Sequence, residues 1–353
     1  MAKASKTARK PKFTMETIDG RELRVGYWKA SGKVTKTPLL FFNGIGANIE
    51  AMAPMADMLS DRDFLTFDMP GVGDSPDPVI PYNAILMARI ASILIERYDM
   101  PLVDVMGVSW GGAMAQQFAL QNSGQVRKVI LAATTAGMVM VPGNPKALIK
   151  MADPRRYIDP DFMRKHFNTL YGGSDDGSEG HIGRLKPPST TGYFYQLLAM
   201  LGWTSAPFLP FLSKPTLIMV GGDDQIVRPV NGDILNALIP NSEMFRIEEG
   251  GHLFLLSHVE ESLEAIRGFL DREEAETKQA AFDTLALRSK YAMSMEQLNE
   301  LYSGIQMTHI NRGRVMDGFM DRGLDRDGYQ NQIGVAKEAA VKLASSPQEP
   351  AAQ

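Results

Sequence analysis

The chain has 353 residues and a formal net charge of −4, with 44% hydrophobic and 22% charged residues. These proportions are ordinary for a globular protein and exclude a fibrous or wholly disordered chain. The acidic balance gives no electrostatic reason to expect nucleic-acid binding. The sequence contains no cysteine, which excludes disulfides, thiolate metal sites and a cysteine nucleophile. No stretch approaches the roughly 18 consecutive apolar residues of a membrane span, so we expect no transmembrane segment.

The N-terminal segment is basic, with five cationic residues and no acidic one: Lys3, Lys6, Arg9, Lys10 and Lys12. We predict a flexible arm over residues 1–12, which is either solvated or in contact with an anionic surface. The polar residues that follow do not form the apolar core of a secretory signal. We therefore expect a cytoplasmic protein.

After the arm, strand-like and helix-like runs alternate along the chain. Residues 13–30 predict one or two strands, and the apolar run 39–42 predicts another, which ends in the glycine loop 43–48. Asn83 is typical of a helix N-cap. This alternation predicts an α/β fold in which helices cover both faces of a mostly parallel sheet.

The most informative motif is Gly107-Val108-Ser109-Trp110-Gly111, which lies between an apolar strand-like run and a helix-like run. In a nucleophile elbow, a sharp strand-to-helix turn presents a serine hydroxyl above the sheet, and glycines flank it because a Cβ there would collide with neighbouring backbone. The pentapeptide alone is weak evidence. We predict that Ser109 is a nucleophile because its expected partners follow in the chain.

A serine nucleophile needs a base and a carboxylate that orients that base. Asp224 follows a predicted strand in an acidic turn, and His252 follows another strand on a glycine loop. We prefer Asp224 to its neighbour Asp223 because it keeps the Asp-x-Ile-Val spacing. His252 is preferred to the other histidines by position: His166, His181, His258 and His309. The order serine, aspartate, histidine is that of the α/β-hydrolase fold.

Acyl transfer also needs backbone N–H donors for the developing oxyanion. The residue after the nucleophile, Trp110, supplies one donor by position. The loop after the strand 39–42 is expected to supply the other, and we assign it to Ile45. The histidines show no zinc-binding spacing. Because a serine-hydrolase mechanism needs neither a metal nor a cofactor, we expect neither.

These motifs divide the chain into four predicted regions. After the arm, residues 13–135 and 213–271 form the α/β-hydrolase core, and residues 136–212 form a helical lid insertion rich in methionine, proline and aromatic residues. Those side chains either line an acyl pocket or form the lid's own core. Residues 272–353 are predicted to be a helical, partly disordered extension.

With these residues in place, the chain resembles the intracellular polyhydroxyalkanoate depolymerases, in particular those of the medium-chain-length type. Six stretches between about 37 and 271 carry the resemblance: 41–48, 107–117, 131–143, 154–157, 201–205 and 250–255. From these stretches we take Asn43, Met138, Trp203 and Phe254 as candidate substrate-pocket residues. The extension past residue 272 departs from the family pattern.

The resemblance implies a serine hydrolase that cleaves the ester bonds of stored poly(3-hydroxyalkanoate) at the surface of cytoplasmic granules, with Ser109, Asp224 and His252 as the triad. Because the related polymer synthases carry cysteine in the elbow, serine at position 109 favours degradation over synthesis. The alternatives are a general carboxylesterase or lipase-like hydrolase of medium-chain acyl esters, and a non-catalytic granule-associated protein. Side-chain length preference, oligomeric state, endo versus exo cleavage and the role of the extension stay open.

Overall fold

The structure is a computed structural model, and it describes residues 9–31, 36–138, 140–153, 155, 159–171 and 183–272. The first eight residues of the predicted arm and all but one residue of the predicted extension lie outside these ranges. Within the arm, the guanidinium of Arg9 donates hydrogen bonds to the carbonyl oxygens of Lys29 (3.0 Å) and Arg62 (3.1 Å). Lys12 is already the first residue of a strand. The described end of the arm therefore lies against the body of the protein.

The fold is built on a mixed sheet of eight strands in the order β1-β2-β4-β3-β5-β6-β7-β8. The first two strands pair antiparallel, β2 pairs antiparallel with β4, and the remaining pairs are parallel. Strand β5 is buried along its whole length, as expected for a parallel strand covered on both faces. The strands are β1 Lys12–Ile18, β2 Arg21–Trp28, β3 Lys36–Phe42, β4 Arg62–Phe67, β5 Val103–Val108, β6 Val126–Ala132, β7 Thr216–Gly221 and β8 Ser242–Ile247.

Helices follow most of the strands. As the sequence predicts, the side chain of Asn83 caps its helix by accepting a hydrogen bond from the Leu86 amide at 2.9 Å. No helix in the described part of the chain is long and apolar enough to cross a bilayer. The described α-helices are α1 Ala53–Met58, α2 Ala84–Arg97, α3 Trp110–Gln121, α4 Pro145–Ala152, α5 Pro160–Tyr171, α6 Thr190–Met200, α7 Val230–Leu238, α8 Phe254–Ser257 and α9 Val259–Asp271.

Helices α4, α5 and α6 all lie in the segment between β6 and β7. The two ends of this insertion are held together by an antiparallel bridge between Gly137 and Thr204. The Met138 amide donates to the Trp203 carbonyl at 3.0 Å, and the Ser205 amide donates to the Ala136 carbonyl at 3.1 Å. The insertion therefore leaves and rejoins the core at one place, next to the carboxyl end of β6.

Buried charges lie at the opposite end of the sheet, where the parallel strands begin. Asp104 in β5 is fully buried and accepts two hydrogen bonds from the Arg127 guanidinium, at 2.8 and 2.6 Å. The ammonium of Lys128 donates to the Phe269 carbonyl at 2.8 Å and to the Arg272 carbonyl at 2.6 Å, which ties the end of α9 to the start of β6. The ion pair and the Lys128 hydrogen bonds join elements of the fold at this end of the sheet.

Candidate active site

Ser109 lies between β5 and α3 in a backbone conformation that few residues other than glycine adopt. Its φ is 55° and its ψ is −120°, and it is the N-cap of α3. Hydrogen bonds fix the turn: the Ser109 amide donates to the Ala132 carbonyl at 2.9 Å, and the Gly112 amide donates to the Ser109 carbonyl at 2.9 Å. Such a strained residue persists only where the surrounding structure determines it, and such residues concentrate at functional sites.

The glycines of the motif are required by close backbone contacts. A Cβ at Gly107 would lie 2.1 Å from the Gly111 carbonyl oxygen, and a Cβ at Gly111 would lie 2.1 Å from the Phe42 carbonyl oxygen. Neither contact involves a flexible side chain that could move aside. The elbow is therefore packed directly against the end of β3.

The predicted acid and base form a buried hydrogen-bonded pair. The Nδ1 of His252 lies 2.7 Å from Oδ2 of Asp224, and both residues are almost completely buried. The other oxygen of Asp224, Oδ1, accepts hydrogen bonds from the Ile226 and Val227 amides, both at 2.8 Å. Asp223 is exposed, which agrees with the preference for Asp224. A carboxylate held in this way fixes a proton on Nδ1 and leaves Nε2 free to act as a base.

A residue from the insertion also holds His252. The His252 amide donates to the carbonyl of Tyr171, the last residue of α5. The two rings stack with centroids 6.3 Å apart and an interplanar angle of 11°. Nothing in the sequence around Tyr171 indicates this contact, because the two residues are far apart along the chain.

The loop after β3 approaches the elbow from the other side. The Ala47 amide donates to the Gly44 carbonyl at 3.2 Å, and Gly46 has φ 68°, which together define a type II turn with Ile45 and Gly46 at its centre. A Cβ built at Gly44 would lie 3.9 Å from the Cβ of Ser109. The loop that carries Ile45 is therefore adjacent to Ser109, as the sequence predicts.

Ser109 and His252 line one small cavity of about 70 Å³, together with Asn43 and Ile45. The insertion contributes Met151, Tyr171 and Leu185 to its wall. The cavity is smaller than the few hundred Å³ of a typical small-molecule site. A long acyl chain would therefore have to extend beyond this cavity or displace some of these side chains.

Of the predicted pocket residues, the structure brings only Asn43 to this cavity, where its Nδ2 donates to the Asn48 carbonyl at 3.0 Å. Phe254 is fully buried in the core beneath, and Met138 is 41% exposed. The indole Nε1 of Trp203 donates to Oε1 of Gln117 at 2.9 Å on the surface of α3. Met138 and Trp203 thus lie beside the base of the insertion.

The remaining histidines lie elsewhere or outside the described residues. His258 is the N-cap of α9, and its Nδ1 lies 2.9 Å from Oγ of Ser257. His166 is on α5, with its Nε2 3.4 Å from the Lys150 ammonium. His181 and His309 lie outside the described ranges. Within those ranges, no group of three or more histidine and acidic side chains could hold a metal ion.

One further buried carboxylate near the site has no counterpart in the sequence prediction. Asp68 follows β4, is fully buried, and accepts a hydrogen bond from the Ile49 amide at 2.8 Å and one from Arg24 at 3.3 Å. Burial nevertheless raises the pKa of Asp68 to about 6. The carboxylate ties the loop after β4 to the segment that follows the Ile45 loop.

This combination of fold and site is typical of the α/β hydrolases. A comparison with protein families matches residues 39–265 to the "Alpha/beta hydrolase family". The chain belongs to this family. The predicted α/β-hydrolase fold is thereby confirmed.

Comparison with individual proteins narrows the similarity beyond the family. The poly(3-hydroxyalkanoate) depolymerase of Ectopseudomonas oleovorans is 40% identical over 266 residues, which cover 74% of this chain and 93% of that protein. The resemblance seen in the sequence and the predicted class of enzyme, a hydrolase of carboxylic esters, are therefore confirmed. The pimeloyl-[acyl-carrier protein] methyl ester esterase of Neisseria meningitidis is 29% identical over 216 residues, which cover 58% of this chain and 81% of that protein.

Solved structures agree on the fold. An esterase from Exiguobacterium antarcticum superposes with a TM-score of 0.64 at 20% identity, covering 74% of this chain and 99% of that one. The enol-lactonase of Burkholderia xenovorans superposes with a TM-score of 0.59 at 18% identity, covering 73% and 100%.

Proposed function

We propose that this protein is a serine depolymerase that hydrolyses the ester bonds of poly(3-hydroxyalkanoate), with a preference for medium-chain-length polymer. The observation that carries the proposal is the buried Asp224–His252 pair, which shares a cavity with the strained elbow serine, Ser109. The 40% identity to the poly(3-hydroxyalkanoate) depolymerase supports the choice of substrate.

In the proposed mechanism, the Ser109 hydroxyl attacks the ester carbonyl and His252 takes its proton, while Asp224 stabilises the imidazolium. The tetrahedral oxyanion accepts hydrogen bonds from the backbone amides of Ile45 and Trp110. His252 then gives the proton to the leaving alkoxide, which departs as a hydroxyl group. Water, deprotonated by the same histidine, attacks the acyl-enzyme, and His252 returns that proton to the Ser109 oxygen as the acyl group leaves as a carboxylic acid. Every step uses side chains and backbone groups of this chain.

A polymer granule is a neutral, apolar surface, and helix α6 offers a matching one. The helix contains no charged residue, and its buried positions are Gly192, Gln196 and Ala199. From Phe194 onwards its exposed positions are apolar, with exposures from 36% to 76%: Phe194, Leu197, Leu198 and, at the C-cap, Leu201. Large exposed apolar patches mark interaction surfaces. We propose that this outer face of α6 contacts the granule.

The proposed reaction is tested by comparing the wild type with Ser109→Ala on granules of medium-chain polymer, on granules of short-chain polymer and on a soluble acyl ester. We expect release of 3-hydroxy acids from the medium-chain granules, and a loss of roughly 10⁴-fold or more in turnover in the variant. Activity on the soluble ester alone would instead indicate a general carboxylesterase. Near-wild-type activity of Ser109→Ala would reject the assigned nucleophile.

A fluorophosphonate probe provides an independent check, because it modifies only an activated serine readily. We expect labelling of the wild type and none of Ser109→Ala. A wild-type protein that neither reacts with the probe nor hydrolyses any ester would support the reading as a non-catalytic granule protein.

A further inference from the structure

Gln196 is a buried polar residue on the inner face of α6, in contact with both segments of the proposed oxyanion hole. Its exposed fraction is 1%. Its side-chain Oε1 accepts a hydrogen bond from the Gly46 amide at 2.8 Å, and its backbone carbonyl accepts one from the indole Nε1 of Trp110 at 3.0 Å. Both bonds are buried, and both connect the insertion to the core.

The first of these bonds acts on the turn that carries Ile45. In a type II turn, the peptide between the two central residues is rotated by about half a turn relative to a type I turn, and little else changes. Here that peptide joins Ile45 to Gly46, and its N–H donates the hydrogen bond to Oε1 of Gln196. The side-chain carbonyl of Gln196 therefore selects one orientation of this peptide and fixes the loop beside Ser109.

The second bond acts on the first residue of α3. Trp110 lies directly after the nucleophile, and its ring is largely buried. Anchoring the indole to the Gln196 carbonyl fixes the residue whose backbone amide is the other proposed donor. One residue of the insertion thus touches both donor-bearing segments.

Close backbone contacts fix the position of helix α6 on the core. A Cβ at Gly192 would lie 2.5 Å from the Cα of Gly71, so the helix packs directly on the loop after β4. The Ser189 amide donates to the Gly71 carbonyl at 2.8 Å, and the Ser189 side chain caps the helix through the Gly192 amide at 2.9 Å. This close contact sets the position of Gln196 relative to the core.

We propose that Gln196 is a positioning residue for the oxyanion hole, holding the Ile45 loop through its side chain and Trp110 through its backbone. The inference rests on the proposed function, because it deepens the role of the same site. Oxyanion stabilisation acts mainly in the transition state, and a displaced donor costs rate without weakening substrate binding in the ground state.

The test is Gln196→Met, which keeps side-chain length and the backbone carbonyl but removes the Oε1 acceptor. On a soluble ester we expect kcat and kcat/KM to fall together by roughly 10- to 100-fold, with KM nearly unchanged, because a misplaced donor costs about this much. The inhibition constant of a trifluoromethyl ketone, whose serine adduct carries an oxyanion, should rise by the same factor.

The matched control is Gln117→Met. Gln117 also accepts a hydrogen bond from an indole N–H of the insertion, that of Trp203 at 2.9 Å, but it lies about two turns along α3 from Trp110, and its other side-chain hydrogen bond is to Gln121. We expect its kinetics to stay within about twofold of the wild type, since it lacks a role in the transition state. Unchanged kinetics in Gln196→Met, a rise in KM alone, or equal losses in the two variants would overturn the proposal.

A second variant covers the case in which Gln196→Met does not fold. Trp110→Phe keeps a buried aromatic ring but removes the indole N–H that donates to the Gln196 carbonyl, together with part of the ring system, and a several-fold joint fall in kcat and kcat/KM is expected. One assay that includes Ser109→Ala distinguishes failure of the Gln196 proposal from failure of the proposed function. An active wild type with wild-type-like Gln196 and Trp110 variants rejects only the role of Gln196, whereas a wild type inert to the ester and to the fluorophosphonate rejects both.

Discussion

At the scale of single residues, the two oxygens of Asp224 have separate partners. Oδ1 is occupied by the Ile226 and Val227 amides, so only Oδ2 faces His252. An asparagine would keep its carbonyl oxygen on those amides and direct its NH₂ group at Nδ1. The imidazole would then be held in the wrong tautomer for a base at Nε2.

We therefore expect Asp224→Asn to fold normally and to lose roughly 10⁴-fold in kcat on a soluble ester, as buried triad carboxylates do. The neighbouring Asp223→Asn is the control, because Asp223 is exposed and should leave kcat unchanged. Steady-state kinetics and thermal unfolding of both variants make the comparison. Equal activities of the two variants would mean that Asp224 is not the orienting acid.

The raised pKa of Asp68 predicts how the stability of the protein depends on pH. Its folded-state pKa is raised to about 6 from an ordinary value of 3.8, so the folded protein binds its proton more tightly than the unfolded chain does. The resulting stabilisation is complete below about pH 4 and is lost as the pH rises to about 6. At about 1.4 kcal/mol per pKa unit, the free energy of unfolding should fall by about 3 kcal/mol at most.

Urea unfolding of the wild type and Asp68→Asn across this pH range isolates the effect, because the variant lacks the titrating group. The stability of the wild type relative to the variant should decrease as the pH rises. An increase would show instead that the hydrogen bonds from Ile49 and Arg24 to the carboxylate outweigh the cost of burying it.

At the scale of elements, the packing of α6 reverses a general rule. Replacing glycine by alanine inside a helix usually stabilises it by roughly 0.5–1 kcal/mol. At Gly192 the added methyl group would meet the backbone of Gly71 at 2.5 Å. We expect Gly192→Ala to lower the free energy of unfolding by roughly 1–3 kcal/mol, the usual cost of overpacking.

Gly268 in α9 is the matched control, because a Cβ there meets nothing within 4 Å. Gly268→Ala should raise the free energy of unfolding by roughly 0.5–1 kcal/mol, in line with helix propensity. Denaturant unfolding measures both variants. Stabilisation by Gly192→Ala would mean that α6 can move away from the loop after β4.

The elements also show how far sequence reasoning reaches. The elbow, the Asp224 turn and the His252 loop could be predicted because each is a local motif at the end of a strand, and the order of the strands then places them at one edge of the sheet. The contacts of Tyr171 with His252 and of Gln196 with Gly46 could not, because they join segments that no periodicity relates. The same reason explains why Met138, Trp203 and Phe254, chosen as pocket residues, lie outside the wall of the cavity.

Helix α6 also reverses the usual pattern of burial. Its apolar residues, such as Phe194, would ordinarily indicate a face packed in the core, yet Phe194 is 57% exposed while Gln196 is buried. Composition alone therefore could not tell whether the aromatic residues of the insertion formed its interior or its surface. Their exposure follows from the close approach of α6 to the core at Gly192.

At the scale of the whole molecule, the two ends of the sheet differ in character. The amino ends of the parallel strands carry buried ion pairs such as Asp104–Arg127. The carboxyl ends carry the elbow, the proposed acid and base and the insertion, as is general for ligand sites in α/β sheets. The exposed apolar face of α6, the proposed granule contact, belongs to this second end.

The granule contact is tested with the triple variant Phe194→Ser, Leu197→Ser and Leu201→Ser. We expect binding to polymer granules and hydrolysis of granules to fall, while kcat on a soluble ester is unchanged. The control is the double variant Met15→Ser and Leu102→Ser, at exposed apolar residues elsewhere. Met15 lies on the edge strand β1 and is 47% exposed, and Leu102 lies just before β5 and is 43% exposed. Sedimentation with granules measures binding. Equal binding by both variants would assign the contact to another surface.

The backbone conformation of Ser109 also restricts which side chains can replace the serine. At φ 55°, a residue with one substituent on its Cβ is tolerated, but a β-branched residue is strongly disfavoured. Cysteine could therefore replace serine at this position without rebuilding the turn, whereas threonine could not. At the position of the proposed nucleophile, the turn thus accepts a thiol or a primary alcohol and strongly disfavours a secondary alcohol, whatever substrate the insertion admits.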